Sequence, residues 1–444
     1  MATRTKTATS IFDINLYART EALVSLAILA ATFAILPAAE AQTYTILHSF
    51  SYGPDGGYPQ AGLTMDAAGN LYGTAGVGGL PNDCPSEGCG TVFRMTYKNS
   101  SWQFTTLYSF QGSDGEAPTA RVVFGSGGAL YGTTLGGGLS NCDGDVPGCG
   151  VVFRLQPPAG FCRSILCPWT ETFLYRFQGG ATGGIPEGDI TFDPAGNIYG
   201  TLLSGGSTGP YCGSFGCGVV YELSQGGGGT ESVLYTFRGG IDGLHPNGGV
   251  IRDAAGNLYG TTTQGGGYGC GGSGCGTVFE LSPSPSGWTE TILHSFQGST
   301  DGDLPYAGLT MDAAGNLYGS TSTDGSGGGG TVFELSPNGP SWTFSTLYSL
   351  AGIFLGGPQD ALTLDNAGNI YGAAQYDGAY DQGSVFKLSY ANGSWLYTDI
   401  YDFTPDGSGG WLFDGLVLDS QGNIFGTAFH GGSYGHGNVF KITP

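Results

Sequence analysis

Basic residues are scarce in this sequence. Thirteen Lys and Arg stand against 35 Asp and Glu among 444 residues, which gives a formal net charge of −22 at pH 7. Nucleic acids and anionic membrane surfaces repel such a chain, so we expect it to bind neither. Cations, neutral glycans and basic protein surfaces remain open as partners. A simpler interpretation is that the acidic surface only keeps an extracellular protein soluble.

Histidine is also rare, with five in the whole chain. None of them has a recognisable partner pattern for acid–base or nucleophilic catalysis. His48 and His294 stand at a repeated position where other copies carry Tyr, which indicates packing. The sequence therefore nominates no catalytic residue, and whether the protein is an enzyme stays open, with a non-catalytic role favoured.

The N-terminus has the features of a secretory signal. Arg4, Lys6 and Arg19 precede an apolar run from Ala22 to Leu36, and Ala39–Ala41 supplies a small-x-small cleavage pattern. We expect a signal peptide over residues 1–41, cleaved after Ala41, and a secreted or periplasmic mature protein. The alternative is an uncleaved membrane anchor, although the run is shorter than the roughly 20 residues of a membrane span. No Cys near the cleavage point offers a lipid attachment site.

Glycine and proline are abundant and periodic, and they separate seven copies of one unit. Each unit has a hairpin such as Gly308–Gly319, a strand such as Thr331–Leu335 and a strand such as Leu107–Phe110. These segments are short, rich in β-branched and aromatic residues, and bounded by Gly, Pro, Asn or Asp, which predicts strands. The hairpins begin near residues 59, 118, 186, 246, 305, 358 and 412.

The two ends of the chain distinguish a closed ring from a solenoid or a linear array. The first strand, Tyr44 to Phe50, follows no hairpin, and the last unit, Leu412 to Thr443, lacks that same strand. The N-terminal strand therefore completes the last unit and leaves no open sheet edge. We predict an all-β fold, a seven-bladed β-propeller of four-stranded blades over residues 42–444, monomeric and without a membrane span.

The unit also carries a family resemblance. The pattern P-x-x-G-L-x-x-D-x-x-G-N-L-Y-G-T at Pro59–Thr74, followed by G-T-V-F-E-L as at Gly276–Leu281, resembles the GloVer tandem repeat of exported bacterial proteins. It is similar, more distantly, to the NHL type of propeller repeat. The resemblance covers essentially the whole mature chain, implies no known enzymatic activity and supplies no catalytic residues. Members of that family differ in their sorting anchors, and since this sequence ends at Pro444 we expect free secretion.

Two repeated residue types invite functional assignments. The turn Asp, as in Asp66 and Asp312, could bind metal, but we expect it to accept hydrogen bonds from its own turn. The second unit has Gly125 in its place. The aromatic residues of the Tyr72 and Phe93 type could stack on sugars, but a residue required in every unit is expected to pack between blades.

The ten Cys form five close pairs. In an exported protein such pairs indicate local disulfides. Zinc would require two pairs to converge, which radially arranged blades prevent. The predicted disulfides are Cys84–Cys89, Cys142–Cys149, Cys162–Cys167, Cys212–Cys217 and Cys270–Cys275.

The residues after the Pro of each hairpin are expected to surround the mouth of the central channel. Here the units differ, and carboxylates that converge there favour Ca²⁺ or a polar ligand, whereas ordinary solvated side chains are the simpler alternative. We expect no cofactor other than calcium. The favoured function is a non-catalytic binding or scaffold protein for a glycan, peptide or surface partner, and the alternative is a hydrolase or lyase with a metal or acid pair. The candidate ligand-binding residues are Arg121, Glu187, Asp189, Tyr306, Asp360 and Asp414, with Gln60, Asn247 and Gln359 beside them.

Overall fold

The structure, a computed structural model, describes residues 42–79, 84, 87–139, 148–158, 168–224, 229–267, 269–352, 356–413 and 415–443. Their regular secondary structure consists of strands joined by loops, with short 3₁₀ turns at Ser126–Gly128, Gly180–Thr182 and Cys270–Gly272. The strands are β1 (Thr43–Ser49), β2 (Thr64–Met65), β3 (Leu71–Ala75), β4 (Thr91–Lys98), β5 (Ser101–Ser109), β6 (Val123–Phe124), β7 (Leu130–Thr134), β8 (Val151–Gln156), β9 (Thr170–Arg176), β10 (Thr191–Phe192), β11 (Ile198–Leu202), β12 (Val219–Ser224), β13 (Thr230–Thr236), β14 (Gly243–Leu244), β15 (Val250–Arg252), β16 (Leu258–Thr262), β17 (Gln264–Gly265), β18 (Thr277–Ser284), β19 (Gly287–Ser295), β20 (Thr310–Met311), β21 (Leu317–Thr321), β22 (Gly328–Asn338), β23 (Ser341–Ala351), β24 (Thr363–Leu364), β25 (Ile370–Ala374), β26 (Ser384–Ala391), β27 (Ser394–Asp402), β28 (Val417–Leu418), β29 (Ile424–Ala428) and β30 (Asn438–Thr443).

The strands pair into seven antiparallel four-stranded sheets, which are the blades of the predicted propeller. A two-stranded ribbon pairs β14, which precedes the fourth blade, with β17, which lies between strands β16 and β18 of that blade. The fold class predicted from the repeats is confirmed. From inner to outer strand, the sheets are blade 1 (β2–β3–β4–β5), blade 2 (β6–β7–β8–β9), blade 3 (β10–β11–β12–β13), blade 4 (β15–β16–β18–β19), blade 5 (β20–β21–β22–β23), blade 6 (β24–β25–β26–β27) and blade 7 (β28–β29–β30–β1).

Blade 7 contains both ends of the described chain. Strand β1 pairs antiparallel with β30, with Thr43 opposite Thr443 and Tyr44 opposite Ile442. The Tyr44 ring stacks on Tyr401 of blade 6 at a centroid distance of 4.5 Å. The N-terminal strand therefore closes the ring, as the missing strand of the last repeat predicted.

A glycine in the second strand of each blade makes room for the core aromatic residue of the third strand. A Cβ on Gly73 would lie 2.6 Å from the ring of Phe93, which is fully buried. Truncation of such a buried Phe typically costs about 3–5 kcal/mol of stability. The Tyr-Gly pattern of the repeat thus marks a packing contact within each blade.

The repeated Tyr of the second strand packs between neighbouring blades, as expected. Tyr72 of blade 1 is 5% exposed and makes edge contacts with Phe124 and Trp169 of blade 2. Threonines on the inner strands add hydrogen bonds across the same junctions, for example from Thr310 Oγ1 to the Leu362 carbonyl at 2.5 Å. These contacts join each blade to the next.

The repeated turn Asp has the predicted structural role. Asp66 accepts hydrogen bonds from the backbone N–H groups of Ala68 and Asn70, from the Asn70 amide and from the Tyr72 hydroxyl. Burial alone would raise the pKa of Asp66, but these hydrogen bonds lower it below its ordinary value. In blade 2 a Cβ on Gly125 would lie 2.3 Å from the Tyr131 ring, so that ring occupies the space of the missing carboxylate.

Three of the predicted disulfides lie within the described residues, namely Cys84–Cys89, Cys212–Cys217 and Cys270–Cys275. Cys149 is disulfide-bonded as well. Its expected partner Cys142 and the pair Cys162 and Cys167 lie outside the described residues, as does the predicted signal peptide. Within the described part of the chain, no helix has the length and apolar character needed to cross a membrane.

Candidate functional site

Each blade begins with a leading loop, the segment that ends at the residue before the hairpin Pro, or before Leu412 in blade 7. In six blades this last residue adopts a left-handed conformation although it is not glycine, with φ between 51° and 64°. The loop between the second and third strands of each blade, which we call the glycine-rich loop, accepts this residue's N–H from the next blade. Ala117 donates to the Cys89 carbonyl at 3.0 Å and Trp411 to the Gln382 carbonyl at 3.2 Å. These bonds hold the two sets of loops on one face and fix the residues that follow. The six residues are Tyr58, Ala117, Ile185, His245, Leu304 and Trp411.

The residues after the leading loops line a cavity of about 330 Å³. This volume is at the lower end of the range of small-molecule sites. The structure thus brings together the candidate residues named from the sequence, except Asp414, which lies outside the described residues. The cavity is lined by Gln60, Arg121, Glu187, Asp189, Asn247, Tyr306, Gln359 and Asp360, and also by Thr119, Leu135 and Phe413, which the sequence analysis did not name.

Arg121 of blade 2 and Asp189 of blade 3 form an ion pair inside this cavity. Arg121 donates to Asp189 Oδ2 from Nε at 2.9 Å and from Nη2 at 2.6 Å, and its backbone N–H donates to Oδ1 at 2.9 Å. The charge of Asp189 raises the pKa of Arg121 above its ordinary value, against the opposite effect of burial. Both residues were candidates from the sequence. Their pairing was not predicted, because the two residues come from different repeats.

Asp360 of blade 6 is held by the backbone. Its Oδ1 accepts from the N–H of Ala361 at 2.6 Å, and its Oδ2 accepts from the N–H of Gly415 in blade 7 at 2.5 Å. Burial and the charge of Asp189 raise the pKa of Asp360, whereas Arg121 lowers it. The carboxylate therefore joins blades 6 and 7 and contributes to the field of the Arg121–Asp189 pair.

Glu187, Tyr306 and Gln359 complete the polar lining. Burial raises the pKa of Glu187, with a hydrogen bond to Asn247 acting against it. Burial and the charge of Glu187 raise the pKa of the Tyr306 hydroxyl. Gln359 donates to Gln375 at 2.5 Å, and this bond orients its amide.

Glycines that line the cavity bring neighbouring blades into close backbone contact. A Cβ on Gly188 would lie 2.2 Å from the Gly249 nitrogen, and one on Gly248 would lie 2.3 Å from the Gly308 nitrogen. Blades 3, 4 and 5 thus approach each other through glycines that have no space for a side chain.

The described carboxylates of the cavity do not form a cluster of three with metal-ligand spacing. Among the residues that the structure describes, the one cluster of three with metal-ligand spacing is Cys270, Cys275 and Asp303. Both cysteines of that cluster are oxidised in a disulfide, so they do not offer thiolate ligands.

Partly exposed rings from blades 6, 7 and 1 form a second feature of the same face, which we call the aromatic cleft. Phe429 lies at its centre, 4.9 Å from the Tyr58 ring and 5.3 Å from the Phe413 ring. This cluster was not predicted from the sequence. A comparison of the repeats at these positions would have shown the concentration of aromatic residues. The aromatic cleft consists of Tyr58, Tyr376, Trp411, Phe413, Phe429 and His430.

The fold and the cavity define this protein as a seven-bladed β-propeller with a polar channel mouth. The chain belongs to the Gloeobacter/Verrucomicrobia repeat family, whose profile matches residues 15–272 and 268–444. A search of the curated proteins finds no match.

Several solved structures are similar to this chain over most of its length at low identity. A Bacteroides uniformis protein provisionally described as a 6-phosphogluconolactonase is 15% identical, with 77% of this chain and 84% of that chain covered and a TM-score of 0.47. A Lactobacillus plantarum protein is 14% identical, with 77% and 83% covered and a TM-score of 0.45. A Thermus thermophilus protein provisionally described as a glucose dehydrogenase is 13% identical, with 91% and 100% covered and a TM-score of 0.42. These likenesses are too distant to transfer an activity or a substrate to this chain.

Proposed function

We propose that this protein is an exported, non-catalytic binding protein that holds a small, polar, non-anionic ligand at the channel mouth. The observation that carries the proposal is the convergence of polar side chains from several blades on one cavity of about 330 Å³. Arg121, Asp189, Glu187 and Tyr306 offer donors and acceptors in fixed positions, which is how polar groups orient a ligand in a pocket.

The bonding of the carboxylates favours binding over catalysis. Asp189 already accepts three hydrogen bonds from Arg121, and both oxygens of Asp360 accept from backbone N–H groups. Both carboxylates are thus already engaged in hydrogen bonds within the protein. The same bonds weaken the case for calcium, and we expect millimolar calcium to leave the unfolding temperature unchanged.

Local disulfides support the export part of the proposal, because such bonds persist in oxidising compartments. The predicted signal peptide over residues 1–41 gives the route. N-terminal sequencing of protein recovered from the periplasm or medium should find Gln42 as the first residue, whereas an intact Met1 on membrane-bound material would contradict export.

Titration calorimetry of the purified protein tests the ligand class. Glucose, mannose, galactose and glucosamine serve as probes, and glucuronate serves as the anionic control that Glu187, Asp189 and Asp360 should exclude. We expect at least one neutral or amino sugar to bind and glucuronate not to bind. The double variant Arg121→Gly/Asp189→Gly is well suited because Gly62 and Gly249 occupy the same position in blades 1 and 4.

That double variant should weaken binding at least tenfold, or by about 1.4 kcal/mol. Tyr306→Phe should weaken it less, because one hydroxyl is lost. Tyr97→Phe, at an exposed position on the β4–β5 hairpin, is the matched control. Unchanged affinity in Arg121→Gly/Asp189→Gly would remove the cavity as the site, and the absence of binding by every probe would remove the proposed ligand class.

A hydrolase or lyase is the second candidate, and Glu187 is the observation that favours it. Because burial raises its pKa, this carboxyl keeps its proton to a higher pH than an ordinary Glu, as a general acid does. Turnover of p-nitrophenyl glycosides by the wild type that disappears in Glu187→Gln would establish the enzyme. Binding without turnover would favour the non-catalytic protein.

A further inference from the structure

The aromatic cleft indicates which chemical class of ligand the protein binds. We infer that it extends the channel-mouth cavity into a groove for a neutral oligosaccharide, with one sugar unit in the cavity and the following units on the rings. This inference rests on the proposed function, because it uses the same cavity.

The rings of the cleft stack on one another and remain partly exposed. The planes of Trp411 and Phe429 lie 13° apart with their centroids at 6.2 Å, and Phe429 and Tyr58 lie 25° apart at 4.9 Å. His430 meets the edge of Trp411 at 4.6 Å, and all four side chains are partly exposed. The exposed parts of this stack offer apolar contacts to a chain-like ligand.

Other blades have the same backbone geometry without these rings. The position of Trp411 is Ala117 in blade 2, with the same left-handed backbone at φ 53° against 54°. The position of Phe429, directly after the second strand, is Leu135 in blade 2 and Gly76 in blade 1. The left-handed geometry is common to most leading loops, whereas the aromatic side chains belong to one sector of the ring.

The cleft is continuous with the cavity. Phe413 lines the cavity and also contacts Phe429 at a ring distance of 5.3 Å. Leu135, which is the blade 2 equivalent of Phe429, lines the cavity as well. A ligand held by the cavity can therefore reach the rings without crossing another part of the surface.

Charge and polarity select among the possible occupants. The described lining of the cavity contains three acidic residues, Asp189, Asp360 and Glu187, and one cation, Arg121, in a chain of net charge −22. Anionic glycans are therefore disfavoured. A neutral sugar has hydroxyl groups for the cavity and apolar C–H faces for the rings, so one molecule satisfies both surfaces.

Calorimetry with ligands of different length tests the inference. Cellotetraose and mannotetraose are compared with glucose and mannose, each against wild type, Trp411→Ala and Phe429→Leu. Both variants copy residues that blade 2 carries at these positions, so we expect them to fold. Tyr97→Ala removes an exposed ring outside the cleft and is the control.

We expect a tetraose to bind the wild type at least tenfold more tightly than its monosaccharide, and Trp411→Ala to abolish most of that difference while leaving monosaccharide binding unchanged. Phe429→Leu should reduce the difference several-fold, and Tyr97→Ala should have no effect. The tetraose should change the tryptophan fluorescence of the wild type and have no such effect in Trp411→Ala.

Three results would contradict the inference, and they are distinguishable from one another. A tetraose that binds no more tightly than its monosaccharide removes the groove but leaves the cavity as a binding site. A decaproline peptide that binds in a Trp411-dependent way while the sugars do not makes the cleft a peptide groove, as aromatic-lined grooves are elsewhere. Failure of both sugar lengths to bind removes the proposed function as well.

Discussion

One residue position in the outer strand, at the junction between neighbouring blades, carries different types of side chain in different repeats. Where two blades meet, four junctions stack an aromatic ring on the Tyr or His of the preceding blade, as Phe104 does on His48 at 3.9 Å and Tyr397 on Tyr348 at 4.6 Å. The other three junctions carry Glu171, Glu231 and Glu290 at the equivalent position. A carboxyl group thus occupies a half-buried space that elsewhere holds a ring.

These three glutamates should make stability depend on pH. Burial raises the pKa of each to about 7; Asp114 adds to the shift at Glu171 and Asp242 adds to it at Glu290. An unfolded Glu titrates near pH 4.3, so between about pH 4.3 and 7 the folded state binds more protons than the unfolded state. Stability contributed by these groups therefore falls as pH rises through this range.

The triple variant Glu171→Gln/Glu231→Gln/Glu290→Gln isolates this effect from other titrating groups. His48 and His294, whose pKa values burial lowers, act in the opposite direction in both proteins. At each pH we compare the unfolding temperature of the variant with that of the wild type. We expect the advantage of the variant to be larger at pH 8 than at pH 5 by roughly 2–4 °C. Calorimetric melting curves at both pH values measure this, and a difference that is the same at pH 5 and pH 8 would contradict it.

The glycine-rich loops and the leading loops act as paired elements. The carbonyls of Cys89, Cys149, Cys217 and Cys275 each accept the N–H of the left-handed residue in the next leading loop. The disulfide in the glycine-rich loop therefore holds the acceptor for the neighbouring blade. Such a bond stabilises both the loop and the junction beside it.

The pair Cys212–Cys217 is suited to a test, since the backbone N–H of His245 donates to the Cys217 carbonyl at 2.9 Å. Cys212→Ser/Cys217→Ser should lose roughly 2 kcal/mol, which is the chain-entropy value for so short a loop. Urea unfolding under non-reducing conditions measures the loss. His245→Ala keeps the disulfide and the backbone hydrogen bond and removes the packing of the His245 side chain, so it serves as the control. Equal stability of the wild type and the double Ser variant would show that the disulfide does not stabilise the fold.

The repeats predict the strands well and the loops poorly. Hydrophobic alternation and the glycine–aromatic pattern depend on local geometry, so the blades, the turn Asp and the local disulfides follow from short segments. The left-handed backbone of Ile185 and Leu304 does not follow from the local sequence, because aliphatic residues normally avoid this conformation. Contacts with the preceding blade impose it. The Arg121–Asp189 pair also depends on how two repeats are positioned around an axis, which no single repeat encodes.

Closure of the ring is a property of the whole molecule. Strand β1 supplies the outer strand of blade 7, and Tyr44 contacts Tyr401 and Phe403 of blade 6 as well as Phe440 of its own blade. The Thr427 hydroxyl donates to the Ala61 carbonyl at 3.5 Å and joins blade 7 to blade 1. Loss of β1 would therefore expose the edge of β30 and open one junction of the ring.

Deletion of Thr43–Ser49 from the mature protein should destabilise every blade rather than the last one alone, because the ring then has an open sheet edge. We expect one cooperative melting transition shifted down by more than 10 °C, which is several times the effect of about 1 kcal/mol in a chain of this size. Tyr44→Ala should give a smaller shift in the same direction.

A synthetic peptide that spans residues 42–52 tests whether the lost strand itself is responsible. Added in excess, it should restore much of the melting temperature of the deletion variant by pairing with β30, in the register that places Thr43 opposite Thr443. A peptide of the same composition in scrambled order should restore nothing, because its side chains no longer alternate correctly against blade 6. An unchanged melting temperature after deletion, or equal rescue by the scrambled peptide, would show that strand β1 does not hold the ring closed.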